Sequence, residues 1–236
     1  METAAMMRAA KVIVLSDVYK AELLRRGIPE SKIHVVPNGV DIDEINSEES
    51  AVPPEAVGFE NGDVVLGIVS ALVDYEGVDD LIRALDLLPD RFKLLVVGEG
   101  VARPALEKLS RDLGLDQRVF FAGRVPGDEV TKWYRLIDIF VVPRKDEIVT
   151  RRVTPIKALQ AQALKKRVVA TDLPALREIT GNLAAYARSN SPSDLARAIQ
   201  EADLLPEHDS SLKWAQEHSW DAVAKQYRSM FATDPG

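Results

Sequence analysis

Short apolar runs alternate with amphipathic stretches along most of this chain. The apolar runs predict strands at 11–16, 32–41, 63–70, 92–100, 118–123, 138–143 and 167–172. The amphipathic stretches predict helices at 17–27, 77–88, 102–114, 128–136, 174–180 and over most of 191–232, with a further helix that begins at Thr154-Pro155. The strands are nearly continuous in Val, Ile and Leu, which is typical of parallel strands buried on both faces. We therefore predict an α/β fold with a Rossmann-like, doubly wound parallel sheet and extra C-terminal helices.

Sheets of this kind bind ligands beyond the carboxyl ends of their strands. The turns that follow those ends lie at 70–77, 98–101, 123–127, 143–155 and 172–178. Candidate binding residues are therefore sought in these five turns.

Composition narrows the class of protein. The chain has 236 residues, of which 46% are hydrophobic and 28% charged, and a net charge of -7 argues against a broad nucleic-acid surface. It has no cysteine, and its three histidines form no metal-ligand motif. No apolar run approaches the ~20 residues of a membrane helix. We expect a cytoplasmic protein without a transmembrane segment.

Two nucleotide-binding motifs are incomplete or missing. The sequence GEG at 98–100 follows a strand, but Arg103 occupies the third glycine position of a dinucleotide fingerprint, so a tight turn explains Gly98 and Gly100 equally well. Neither a P-loop nor a nucleophile elbow occurs.

The pair Thr154-Pro155 suits a helix start, with Thr154 as the N-cap and Pro155 in the first turn. The free amides of a first turn and the helix dipole favour an anion. Lys157 lies in the same turn, and Arg144 leaves the preceding strand at its carboxyl end. We predict a diphosphate site here, with solvated surface charges as the alternative.

The following segments, taken in order, resemble the retaining, metal-independent GT-B glycosyltransferases of family 4: VIVLSDVYKAELLRRGIPESKIHVVPNGVD, GIVSALVDYEGVDDLIRAL, LLVVGEG, VFFAGRVPGDEVTKWYRLIDIFVVPR and TPIKALQAQALKKRVVATDLPALREI. In that family one domain binds the acceptor and a second binds the nucleotide sugar. The resemblance implies that residues 1–45 are a remnant of the acceptor-side domain and the crossing. It implies that residues 46–236 are the donor-binding domain, with C-terminal helices that close the fold.

The sequence departs from the family pattern at several donor-site positions. Ser70 and Ala71 replace a Gly-Arg pair, and Glu76 replaces a lysine that contacts the diphosphate in many members. A branch of the family carries its arginine and lysine where Arg144 and Lys157 stand here. Arg152 and Gln160 replace the two carboxylates of the Glu-x7-Glu motif, so Gln160 offers the ribose one uncharged acceptor.

The resemblance and the turn analysis together imply a donor site without metal or cofactor for a UDP- or GDP-type nucleotide sugar. Gly123, Arg124 and Val125 would line the base, and Gly98 and Gly100 would pass close to the donor. The predicted substrate-binding residues are Ser70, Gly98, Gly100, Gly123, Arg124, Val125, Arg144, Thr154, Pro155, Ile156, Lys157 and Gln160, and no catalytic residue is assigned.

Two further classes of function stay open at this point. A non-catalytic partner or nucleotide-binding subunit would explain the lost carboxylates, and an epimerase of similar two-domain fold is a third option. The expected partners are a nucleotide sugar and either an acceptor-binding domain or a second copy of the chain. An unpaired apolar strand is an edge liability, so residues 11–16 are expected to pair with that second copy or to fold onto their own domain.

Overall fold

The computed structural model describes residues 2–45, 50–206 and 209–232. Its strands are β1 (Val12–Val14), β2 (Ile33–Val35), β3 (Val64–Val69), β4 (Phe92–Val97), β5 (Val119–Gly123), β6 (Ile139–Val142), β7 (Arg167–Thr171) and β8 (Ala185–Ala187). Its helices are α1 (Glu2–Arg8), α2 (Asp17–Arg25), α3 (Ile42–Ile45), α4 (Val78–Asp86), α5 (Arg103–Asp112), α6 (Val130–Leu136), α7 (Ile148–Arg152), α8 (Ile156–Ala163), α9 (Pro174–Ile179), α10 (Pro192–Asp203), α11 (Asp209–Glu217) and α12 (Trp220–Ala232).

Six parallel strands form the main sheet in the order β5-β4-β3-β6-β7-β8. The chain moves outward from β3 to β4 and β5, and then returns beside β3 to begin β6. This confirms the doubly wound sheet predicted from the apolar runs. The edge strand β8 is not among the predicted strands, because its three residues, Ala-Tyr-Ala, are too short and too weakly apolar to stand out.

Helices cover both faces of this sheet, as the continuous burial of its strands requires. On one face α4 and α10 bury Leu81, Leu85 and Ile199 against the strands. On the other face α8 and α9 bury Leu159 and Leu176. The sheet therefore exposes its ends rather than its faces, and the carboxyl end is where the strand-helix turns meet.

A smaller unit, residues 2–45, is built around two parallel strands. β1 pairs with β2, and the buried core beside them consists of Val12, Val14, Leu23, Ile28 and Ile33. Both strands are shorter than predicted. Ser16 already serves as the N-cap of α2, with its hydroxyl accepting from the Tyr19 amide at 3.1 Å, so the first strand ends before it. We call residues 2–45 the N-terminal unit.

The C-terminal helices return to the N-terminal unit. Val40 and Ser219 form an isolated parallel bridge, and the Gln226 side chain donates to the Val35 carbonyl at 3.0 Å. The predicted domain boundary falls at residue 46, and residues 46–49 lie outside the described part of the chain. Within the described ranges, no helix is both long enough and apolar enough to cross a membrane.

Candidate functional site

The point where the strand order reverses lies between the neighbours β3 and β6. Ser70 directly follows β3, and Arg144 lies two residues beyond the end of β6. The turns that leave these strands run to opposite sides of the sheet, which opens a crevice between them.

A cavity of about 220 Å³ occupies this crevice. Its lining comes from the ends of β3 and β6, from Glu76, and from the turn into α8, and includes Ser70, Ala71, Arg144, Pro155, Ile156 and Lys157. The structure thus brings together five of the residues that the sequence predicted, although they lie as far apart in the chain as Ser70 and Lys157.

Arg144 is buried, and three hydrogen bonds to two partners hold its guanidinium. Its Nη2 donates to Glu76 Oε1 at 2.8 Å, its Nε donates to Glu76 Oε2 at 3.3 Å, and its Nη1 donates to the Val153 carbonyl at 2.9 Å. Arg144 is 9% and Glu76 is 7% exposed, so this is a buried, two-pronged ion pair. Its charge is largely balanced by Glu76.

Sequence reasoning did not place Glu76 in the site. The sequence identifies Glu76 only as the replacement of a lysine, because its partner Arg144 lies 68 positions further along the chain. The signal that could have identified the pair is the simultaneous presence of a carboxylate at the family's lysine position and an arginine after β6.

The backbone of Arg144 is also fixed. Its carbonyl accepts from the Thr171 hydroxyl at 2.8 Å and from the Ser189 hydroxyl at 3.2 Å. The end of β7 and the loop after β8 therefore support the turn after β6, which limits how far the guanidinium can move.

The start of α8 differs from the prediction. Pro155 has extended backbone angles, φ -83° and ψ 118°, so it is the N-cap rather than the first helical residue. The Thr154 hydroxyl is buried and has no hydrogen-bond partner in the described part of the chain. The prediction that Thr154 caps this helix is therefore wrong, because the extended Pro155 moves the helix start one residue beyond the reach of that side chain.

Lys157 is the cation of this cavity that lacks a counter-charge among the described residues. Burial of the side chain lowers the pKa of its ammonium group, and no nearby carboxylate opposes this effect. The backbone N–H groups of Ile156 and Lys157 lie in the first turn of α8, where a helix provides no acceptor of its own. An ammonium group and free amides thus face one cavity, an arrangement that suits an anion.

The remaining predicted residues lie outside this cavity. Gly98 and Gly100 follow β4, where a side chain at either position would collide with the carbonyl of Ser70 or of Leu72. Gly123 ends β5 and accepts from the Gly98 amide at 2.8 Å. The close approach of neighbouring backbone therefore explains why Gly98 and Gly100 are glycines.

Three other predicted residues are also placed elsewhere. Arg124 is exposed and Val125 packs against the core in the loop after β5. Gln160 lies on α8, and its carbonyl oxygen accepts from the Tyr134 hydroxyl at 3.3 Å. That acceptor is already engaged in the structure.

A larger cavity of about 1000 Å³ is lined in part by Thr154, the residue before Pro155 of the first cavity. Its walls are 13–16 of the N-terminal unit and 146–154, a stretch that contains α7 and Thr154. Ile13, Leu15, Ile148, Val149 and Val153 are exposed there, each by 39% or more, so the surface of the groove is mainly apolar. α7 itself was not predicted.

Comparison with known families and curated proteins gives a consistent result. A sequence model described as glycosyl transferases group 1 matches residues 63–202, and one described as glycosyltransferase family 4 matches residues 1–44. An uncharacterised glycosyltransferase of Methanocaldococcus jannaschii is 31% identical over 187 residues, which is 76% of this chain and 46% of that protein. D-inositol 3-phosphate glycosyltransferase 2 of Catenulispora acidiphila is 28% identical over 236 residues, which is 92% of this chain and 54% of that protein. The chain spans about half the length of these relatives.

Solved structures match over nearly the whole chain. HepE of Anabaena in complex with UDP superposes with a TM-score of 0.82 at 19% identity, covering 96% of this chain and 64% of that one. Sucrose-phosphate synthase of Thermosynechococcus elongatus superposes with a TM-score of 0.79 at 24% identity, covering 99% and 61%. At these identities the likeness shows the fold.

Proposed function

The chain belongs to the glycosyl transferases of group 1, and we propose that it forms the donor-binding half of an enzyme that uses a nucleotide-diphosphate sugar. One observation carries this proposal: the half-buried Lys157 and the first turn of α8 line one cavity at the switch point of the sheet. We call this cavity of about 220 Å³ the donor cavity. The UDP bound in the HepE structure supports a nucleotide diphosphate as the ligand class.

The proposed chemistry is transfer of a glycosyl group with retention of configuration. When the bond between the anomeric carbon and the diphosphate breaks, negative charge develops on the leaving diphosphate. Preorganised donors that stabilise this charge lower the barrier. Lys157 and the amides of Ile156 and Lys157 supply such donors without a metal ion. In this proposal Gln160 turns from Tyr134 to the ribose, and 123–125 lie beside the base.

Arg144 has a different role in this proposal from the one that sequence alone indicated. Its guanidinium holds Glu76 and the Val153 carbonyl, so it fixes the segment that leads into α8. It acts on the diphosphate mainly by positioning that segment. Lys157 then carries most of the side-chain charge that the ligand meets.

The acceptor half is the second part of the proposal. The chain spans about half the length of its relatives, and Thr154 of the apolar groove beside β1 directly precedes Pro155 of the donor cavity. We propose that an acceptor-binding domain covers this groove during turnover, with a second copy of the chain as the alternative occupant.

Titration calorimetry with UDP tests the donor site. We expect Lys157→Ala to weaken binding at least tenfold, which corresponds to about 1.4 kcal/mol. Lys108→Ala is a matched control, because it removes an exposed ammonium that pairs with Asp112 on α5, and it should leave the affinity unchanged. Equal affinity of wild type and Lys157→Ala for UDP contradicts the proposed diphosphate site.

The balanced charge of Arg144 favours one second candidate, a non-catalytic subunit that binds nucleotide without turnover. The pairing with Glu76 leaves the cavity with fewer free cations than the sequence pattern implied. Sugar transfer in the presence of a complementing acceptor domain, measured by release of UDP, separates the enzyme from this candidate.

A further inference from the structure

The N-terminal unit is joined to the main domain at the amino end of α2. The Glu178 carboxylate of α9 accepts from the amides of Asp17 at 2.6 Å and Val18 at 3.2 Å. These are the first two amides of α2, and the third, from Tyr19, is taken by Ser16. A carboxylate from another element thus completes the cap of this helix, where the helix dipole also favours negative charge.

A second contact joins the same helix to α7. Glu22 Oε2 on α2 lies 2.6 Å from Nε of Arg152, the last residue of α7, and the Glu22 side chain is only 12% exposed. The Ser16 hydroxyl donates to the Arg152 carbonyl at 3.4 Å. Side chain and backbone of Arg152 are therefore both tied to the N-terminal unit.

α7 leads directly into the donor cavity. The residue after Arg152 is Val153, whose carbonyl holds Arg144, and α8 begins with Ile156 three residues later. Only 153–155 therefore separate Arg152 from the first turn of α8, and Val153 and Pro155 are extended.

We propose that Glu22, Arg152 and Glu178 form a clamp through which the N-terminal unit positions α7 and the first turn of α8. Arg152 and Glu178 are positioning residues in this proposal, since neither lines the donor cavity: Arg152 ends α7, and Glu178 holds the first amides of α2. The link to nucleotide affinity rests on the proposed function, whereas the clamp itself is testable in the free protein.

Amide hydrogen exchange of the free chain tests the clamp. In Glu22→Gln and in Glu178→Gln we expect the exchange rate of amides in 148–157 to rise at least about threefold, which is the effect expected from the loss of a partly exposed ion pair. The exchange rate of amides in β4 should stay unchanged. Glu30→Gln is the matched control, because it breaks the exposed pair with Lys20 in the same unit. Unchanged exchange at 148–157 in both clamp variants, or an equal rise in β4, overturns the proposal.

UDP affinity distinguishes a positioning role of the clamp from a merely structural one, because a structural role would leave the affinity unchanged. Both clamp variants should weaken UDP binding about threefold at a temperature where they remain folded, and Arg152→Lys should retain most of the wild-type affinity because the ion pair persists. Locally faster exchange with unchanged affinity overturns the positioning role. If wild type binds no UDP, the proposed function fails, and the exchange result still decides the clamp.

Discussion

Arg144→Met is the most informative single perturbation of this fold. It removes one partner of a buried pair whose members are 9% and 7% exposed, and leaves the Glu76 carboxylate without its counter-charge. Breaking such a pair from one side costs about 3–5 kcal/mol. In a domain of this size that cost corresponds to a fall in melting temperature of roughly 6–20 °C.

The double variant Glu76→Leu with Arg144→Met removes both charges of the buried pair at once. Because no charge is left buried, we expect it to cost much less than the sum of the single variants, with about 1–3 kcal/mol remaining for the Val153 carbonyl that loses its donor. Urea unfolding at 25 °C of wild type, both single variants and the double variant gives the coupling energy.

An exposed pair supplies the control for this cycle. Arg151 pairs with Asp146 through a side chain that is 57% exposed, so Arg151→Met should destabilise the fold far less than Arg144→Met does. If Arg144→Met costs as little as this control, or if the two single variants add without coupling, the assignment of Arg144 and Glu76 as a stabilising buried pair is wrong.

Three further predictions concern titration and backbone geometry. Hydrogen bonds from the Arg197 side chain and the Arg188 amide lower the pKa of Asp194 to about 2. The carboxylate therefore contributes to stability above about pH 4, and this contribution is lost as the pH falls towards 2. The difference in unfolding free energy between wild type and Asp194→Asn should vanish over that range. Burial lowers the pKa of Lys157, so the unfolded chain holds this proton more tightly, and wild type should gain stability relative to Lys157→Met as the pH rises towards 10.5 in urea titrations. Gly98→Ala should cost at least about 3 kcal/mol, because φ is +138° and the new methyl group meets the Ser70 carbonyl, whereas Gly58→Ala, with φ +76° and open space, should cost about 1–2 kcal/mol in the same assay.

The main sheet was predictable because its signal is local. Continuous runs of Leu and Val such as 94–97 are buried on both faces of the sheet, and the helices between the strands impose parallel pairing. Short elements gave no such signal. β8 is three residues of modest hydrophobicity, and α7 is a five-residue helix within a charged loop.

The candidate site was predictable in position but not in its pairings. A strand-helix turn at the carboxyl edge brought Lys157 and Arg144 to one cavity, as expected from topology. Residue preference alone predicts Thr154 as the cap, but it does not predict that Pro155 is extended and begins the helix one residue later.

The sequence by itself determined the parallel sheet, the edge at which we propose that a ligand binds, and the family, because each depends on residue types within short windows. The tertiary structure alone decided which charges remain available at that edge. It placed Glu76 against Arg144 across 68 positions of chain, left Lys157 without a counter-charge among the described residues, and tied Arg152 to Glu22. Ion pairing depends on distances of a few ångströms between distant segments, and no local pattern of residues encodes those distances.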